Sequence, residues 1–189
     1  EGEETLNSAF VSSVGANTKG YSAIEYLLFH DTNANILTEL TIAEHAERRM
    51  QYLLALIENL AEQAVFLQTF WEGVEPSFKS NLETGVNGSQ NQVVNAIIAS
   101  LEGMKGTKIE EALNAESDAV TYFEAYRSRT SKEALIVNLN TLYNSYLGEY
   151  EGESGFGLDD YLIEVLDRPE IDTALQDAFV VAMNDLEAM

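Results

Sequence analysis

Apolar residues recur at three- and four-residue spacing along most of this chain, the period of one face of an α-helix. The longest run covers Thr41 to Glu72, where Ala46, Met50, Leu53, Ile57, Leu60, Ala64, Leu67 and Trp71 share a face. A helix of that length spans roughly 45 Å. After the polar stretch 83–89 the pattern resumes with Val93, Val94, Ile97, Ile98, Leu101 and Met104, and Ser89 is placed to cap that helix. Gly103 and Gly106 mark its expected fraying end. Thr130 followed by Glu133 forms a capping-box pattern ahead of Leu135, Leu139, Leu142 and Tyr146, and Gly148 stops that helix. The last face is Ile171, Leu175, Phe179, Ala182 and Leu186, with Glu170 and Asp172 suited to its positive N-terminal end.

Shorter elements fill the gaps. Leu6 to Val14 is a brief apolar stretch, the segment from Val14 to Gly20 reads as a turn, and Tyr21 to Phe29 is so nearly all apolar that it predicts a short buried helix. The acidic, glycine-bearing segment 149–157 reads as a loop, and Leu158, Leu162 and Leu166 as a short helix ended by Pro169. Pro76 and Pro169 both fall between apolar segments, where proline leaves helical hydrogen bonding intact. Neither strand alternation nor a long internal repeat is evident. The expected fold is therefore all-α, a helical bundle of six or seven helices. The 189 residues suffice for one domain or two small bundles, with a sub-bundle boundary expected near 106–130.

Charge narrows the partners. Thirty-two acidic residues against ten basic ones give a formal charge of −22, which repels phosphate backbones and anionic lipid, so no nucleic acid partner is expected. Such a field concentrates cations, but a heavily hydrated surface is the plainer explanation, and acidity alone is weak evidence for metal handling. Without cysteine there are no disulfides or thiolate ligands. No run of about 18 apolar residues occurs, so no transmembrane segment is expected, and Glu1-Gly2-Glu3-Glu4 lacks a signal pattern. If the protein is exported, its signal has been removed.

The search for catalytic chemistry is mostly exclusionary. The two histidines, His30 and His45, form no His-Glu-x-x-His zinc helix and no Glu-x-x-His pair of the di-iron bundles. Both read as ordinary, His30 at a helix end and His45 in an exposed first turn. Phosphate loops, nucleophile elbows and dinucleotide glycine fingerprints are missing too. One constellation stands out, Gly20-Tyr21-Ser22-Ala23-Ile24-Glu25-Tyr26, in which Ser22 and Glu25 are one helical turn apart and Glu25 lies among apolar neighbours. A buried carboxylate needs a partner, and Arg48, Arg49, Arg127, Arg129 or a cation would serve. That carboxylate either ties helices together or belongs to a site. Arg127-Ser128-Arg129, beside Tyr122, Phe123 and Tyr126 and ahead of a helix N-terminus, suits an anion or simply caps the helix. Asp159 and Asp160 open another helix, which its dipole alone explains.

The run Lys19 to Phe29 resembles the segment carrying the Gly-x-His-x-x-Glu signature of the bacterial imelysin-like family. The order that follows is also similar: Arg48-Arg49 opening a long helix that ends in Phe70-Trp71-Glu72-Gly73, then Ser89-Gln90-Asn91-Gln92. After these come Arg127-Ser128-Arg129-Thr130-Ser131 leading into Asn138-Leu139, and Gly157-Leu158-Asp159-Asp160-Tyr161-Leu162. The resemblance implies an exported bacterial protein, in the periplasm or as a cell-surface lipoprotein, built of two similar four-helix bundles with a functional site between them. It also implies a part in iron uptake, through iron or another divalent cation, a metal-linked small ligand, or an envelope protein partner. Carried over by position, Gly20 and Glu25 match the signature and Ser22 stands where the histidine does. Gly20, Ser22, Glu25, Arg127, Ser128 and Asp160 are the site residues this implies, with Glu25 the metal ligand. Serine is a poor ligand for a transition metal and no general base. Family chains are longer and carry helices ahead of the signature, so this chain is expected to be a fragment or a permuted arrangement.

The expected function is thus non-enzymatic binding of iron or a metal-linked ligand at the cell envelope. The alternatives are a metallopeptidase-type hydrolase using Glu25 and a purely structural module.

Overall fold

The computed structural model describes residues 4–81, 85 and 88–189. The fold is all-α, and six helices of nine or more residues run through the described residues. Two compact units divide the chain, Glu1–Leu82 and Glu83–Met189. The stretch 106–130, where a boundary between sub-bundles was expected, lies inside the second unit. The polar break at 83–89 and the start at Glu1-Gly2-Glu3 fall largely outside the described residues.

The first unit contains α1 (Ser8–Ser13), α2 (Tyr21–Phe29), α3 (Asn33–Thr41) and α4 (Ala46–Ser80). Side-chain oxygens start two of them: Asn7 accepts from the Phe10 N–H at 2.9 Å, and Thr32 from that of Asn35 at 3.4 Å. The first three helices pack on α4, over a core of Val11, Ala55 and Leu56 with Ala23, Ile24 and Leu27 against it. A polar seam crosses the same face. The buried Asn59 amide donates to Ser12 Oγ at 2.8 Å and to Ser8 Oγ at 3.2 Å, and the Ser8 hydroxyl in turn donates to Glu62.

Two expectations for the long helix are corrected. Its buried residues are Ala46, Leu53, Ala55, Leu56 and Asn59, so the inner face is rotated from the expected one, and Ile57, Leu67 and Trp71 are exposed. Among the described residues, the buried positions of α4 all fall in its first half, whereas Val65, Phe66, Leu67, Phe70 and Trp71 are exposed. Pro76, expected outside any helix, sits inside α4. Its missing N–H frees the Glu72 carbonyl, which water reaches at this exposed end, and the helix closes one turn later at Ser80.

The second unit opens with α5 (Ser89–Gly103), whose N-cap is Gly88 rather than Ser89. The helix does not fray at Gly103 and Gly106 as expected but widens into a π-helical segment, Met104–Glu110, and ends as α6 (Glu111–Leu113). A 3-10 turn, Ala119–Tyr122, leads to α7 (Ser131–Leu147). The expected capping box is not formed: the Thr130 hydroxyl lies 2.9 Å from that of Ser128, and the Ser131 hydroxyl accepts from the Ala125 N–H at 3.2 Å. Gly148 ends α7 at φ +68°, a left-handed residue packed so tightly that a Cβ would lie 3.0 Å from Gly157.

The predicted loop 149–157 folds back as a two-residue hairpin, β1 (Glu149–Tyr150) with β2 (Glu153–Ser154), turning on Gly152 at φ +85°. Next come α8 (Leu158–Asp160), the π-helical segment Tyr161–Val165, and α9 (Pro169–Ala188), where Pro169 takes the first helical position. The core is Ile97, Met104, Leu135, Leu139, Tyr146, Phe179 and Leu186, on the expected faces of α5, α7 and α9. Among the described residues no helix is long and apolar enough to cross a membrane.

Candidate functional site

Gly20 holds φ +76° at the N-cap of α2, a conformation that side chains rarely adopt, and so fixes where the helix begins. A rotation of about 100° per residue then splits the helix. Ala23, Ile24 and Leu27 face the first-unit core, while Ser22, Glu25, Tyr26 and Phe29 share the opposite side. Tyr26 is 50% exposed, Phe29 46%, and none of the nine residues is fully buried. The expectation of a buried helix is therefore corrected: a core this small covers only one side of α2. Glu25 is half-buried rather than buried, and it already has an interaction within the chain. Ser22, one turn earlier on the same side, is exposed.

His30 is a fastening between helices. Its ring stacks on Tyr26 at 4.6 Å, Nδ1 donates to the Tyr26 carbonyl at 2.7 Å, and Nε2 lies 3.2 Å from the Glu39 carboxylate on α3. His45 takes a left-handed conformation at the start of α4 with its side chain exposed. Arg48 and Arg49, considered as partners for Glu25, donate to the backbone carbonyls of Glu4 at 3.1 Å and Glu44 at 2.9 Å, and Arg48 has a further interaction within the chain.

The other sequence-derived residues lie in the second unit, and they do not converge. Arg127 and Ser128 precede α7, the Arg127 guanidinium resting 4.4 Å from the centroid of Tyr126 and the Ser128 hydroxyl donating to the Ala125 carbonyl at 3.2 Å. Arg129 sits at φ +61° beside them. Asp160 is at the far end of that helix, because its carboxylate accepts from the Gly157 N–H at 3.1 Å and Gly157 packs on Gly148. The 17 residues of α7 put roughly 25 Å between the two places. Asp160 thus caps the first turn of α8, and one oxygen of its neighbour Asp159 is buried without a hydrogen bond among the described residues.

A network that the sequence did not single out pins α7 to α9. Asp172, 6% exposed, accepts the Tyr146 hydroxyl at 2.8 Å and the Gln176 amide at 2.9 and 3.1 Å, and the Tyr143 hydroxyl donates to Gln176 at 3.3 Å. Burial and then the Asp172 carboxylate raise both phenols, Tyr146 well above the ordinary tyrosine range. The available signal was Tyr146 on an apolar face together with Asp172 one turn ahead of Gln176.

Chemically, Ser22 and Glu25 offer one hydroxyl and one carboxylate on the outer side of a short helix. The pair can hydrogen-bond a ligand and supply one oxygen to a hard or borderline cation, but Ser22 cannot act as the base an imidazole would be. Among the described residues, no three His, Asp or Glu side chains are grouped to hold a metal ion. The molecule is thus an all-α bundle protein that presents a serine–carboxylate pair at the start of a glycine-capped helix. The chain belongs to the imelysin family, whose model matches residues 2–189. Neither a curated protein nor a solved structure matches it.

Proposed function

We propose that this protein is a non-enzymatic binding component of the bacterial cell envelope, exported to the periplasm or held at the surface as a lipoprotein. It takes up iron, or another divalent cation, already bound to a small ligand. One observation carries the reading: a family match over residues 2–189 coincides with a Gly20-x-Ser22-x-x-Glu25 segment whose hydroxyl and carboxylate share the outer side of α2. Serine in the signature position favours binding over hydrolysis, since no general base is supplied there. The same substitution leaves too few donors on α2 for a bare ion, which favours a metal that brings its own ligands.

The test is calorimetric titration of the metal-free protein with ferrous, ferric and zinc ions, with ferric citrate, and with haemin, alongside Glu25→Gln. Saturable binding of ferric citrate or haemin that is lost in Glu25→Gln is the expected result. Binding of neither probe, or binding indifferent to Glu25, overturns the proposal. Tight binding of the bare ions would instead make the site a free-metal site.

A further inference from the structure

The second unit holds a cavity of about 390 Å³ between α5, α7, the Tyr161–Val165 segment and α9. We propose that it binds a neutral, largely hydrocarbon or aromatic small molecule with one hydrogen-bonding group, a site independent of Glu25 and of the metal reading above.

Three observations carry this. None of the described residues lining the cavity is charged, in a chain where 22% of residues are Asp, Glu, Lys or Arg. A charged ligand would lose its hydration there with no counter-ion in return. Anions are opposed further by the buried Asp172 behind Tyr146, whose hydroxyl is already committed to that carboxylate. Second, the walls are unfinished as packing: Ile98 and Leu166 are each 48% exposed and Leu175 40%, although all three line the cavity and two belong to the apolar faces of α5 and α9. A volume of this size suits a small molecule and is too little for a helix. Third, two neutral polar side chains in the lining, Gln90 and Tyr161, form no hydrogen bond among the described residues. An apolar chamber with a few uncommitted polar groups is the usual make-up of a small-molecule site. The π-helical segment contributes Tyr161 and Leu162 to the wall.

The test uses two probes with one aromatic body, N-phenyl-1-naphthylamine, which is neutral, and 8-anilino-1-naphthalenesulfonate, which is anionic. Fluorescence titration of the whole chain is expected to show saturable one-to-one binding of the neutral probe and at least about tenfold weaker binding of the sulfonate. Ile98→Trp and Leu175→Trp, which fill the chamber from partly exposed positions, should abolish the neutral binding while circular dichroism stays native. Tyr161→Phe, which removes only a hydroxyl, should weaken it about fivefold, the loss of one neutral hydrogen bond. Phe66→Ser, on the exposed half of α4, should leave it unchanged. No saturable binding, equal binding of the two probes, or binding that survives in both folded tryptophan variants overturns the proposal. Tyr161→Phe supplies the decision if the tryptophan variants misfold, because unchanged affinity there removes the polar part of the argument.

Discussion

Removing the Tyr146 hydroxyl tests whether the buried contact between α7 and α9 stabilises the second unit. In Tyr146→Phe the ring stays in the core beside Phe179, so packing is nearly preserved, but Asp172 loses a donor at 2.8 Å. A hydrogen bond to a buried carboxylate contributes about 1.5–3 kcal/mol, and for a unit of this size ~2 kcal/mol lowers the melting temperature by roughly 10 °C. The alkaline limb adds an independent signature. The folded-state Tyr146 hydroxyl holds its proton well above the ordinary range, whereas the unfolded one releases it near pH 10. Above that pH the unfolded chain binds fewer protons, so the contribution is complete below pH 10 and is lost as pH rises further. By pH 11 the loss attributable to this group approaches ~1.4 kcal/mol. Urea unfolding followed by circular dichroism, at pH 7 and in steps from pH 9 to 11, measures both. The wild type should fall faster than Tyr146→Phe across the alkaline steps. Equal stability at pH 7 together with parallel alkaline slopes would refute the reasoning.

Three further outcomes follow from the geometry. Gly148→Ala meets both a left-handed backbone and a Cβ contact of 3.0 Å on Gly157, so thermal melts should show a loss of about 2–3 kcal/mol. Asn59→Ala leaves the Ser8 and Ser12 oxygens without their buried donor and should cost about 1–3 kcal/mol, with faster amide exchange in α1 and the first half of α4. Asp160→Ala removes the side chain that holds the Gly157 N–H, and should lower stability by about 0.5–1 kcal/mol without altering ferric citrate or haemin affinity if Asp160 is only a cap.

Helix content and most core faces were legible because the 3.6-residue period is strong where a helix is covered by neighbours. Leu135, Leu139 and Tyr146, and likewise Phe179 and Leu186, are buried as their spacing required. The spacing misled on α4, where Leu67 and Trp71 continue the apolar period without a described residue of the first unit to cover them. Periodicity records an apolar face and not what lies against it. Pro76 was misplaced because a proline near a solvent-facing helix end costs little, whereas the rule applied to it describes covered interiors. At α2, apolar composition suggested burial, but Tyr26 and Phe29 point away from Ala23 and Ile24, and composition carries no direction. The candidate residues were legible as a motif and not as a place: Arg127 and Asp160 look comparable in sequence, yet α7 separates them. The Asp172 network escaped because the helix dipole already gave that aspartate a sufficient reason to be there.

The uncovered half of α4 bears on how copies of this chain behave toward one another. Val65, Phe66, Leu67, Phe70 and Trp71 expose apolar area on which copies could meet, and a charge of −22 at neutral pH opposes that approach. That protection is conditional. It vanishes near the isoelectric point of about 4.1 and is thinned by salt at any pH, so mild acid and high ionic strength are the conditions under which the protein should cease to be colloidally stable.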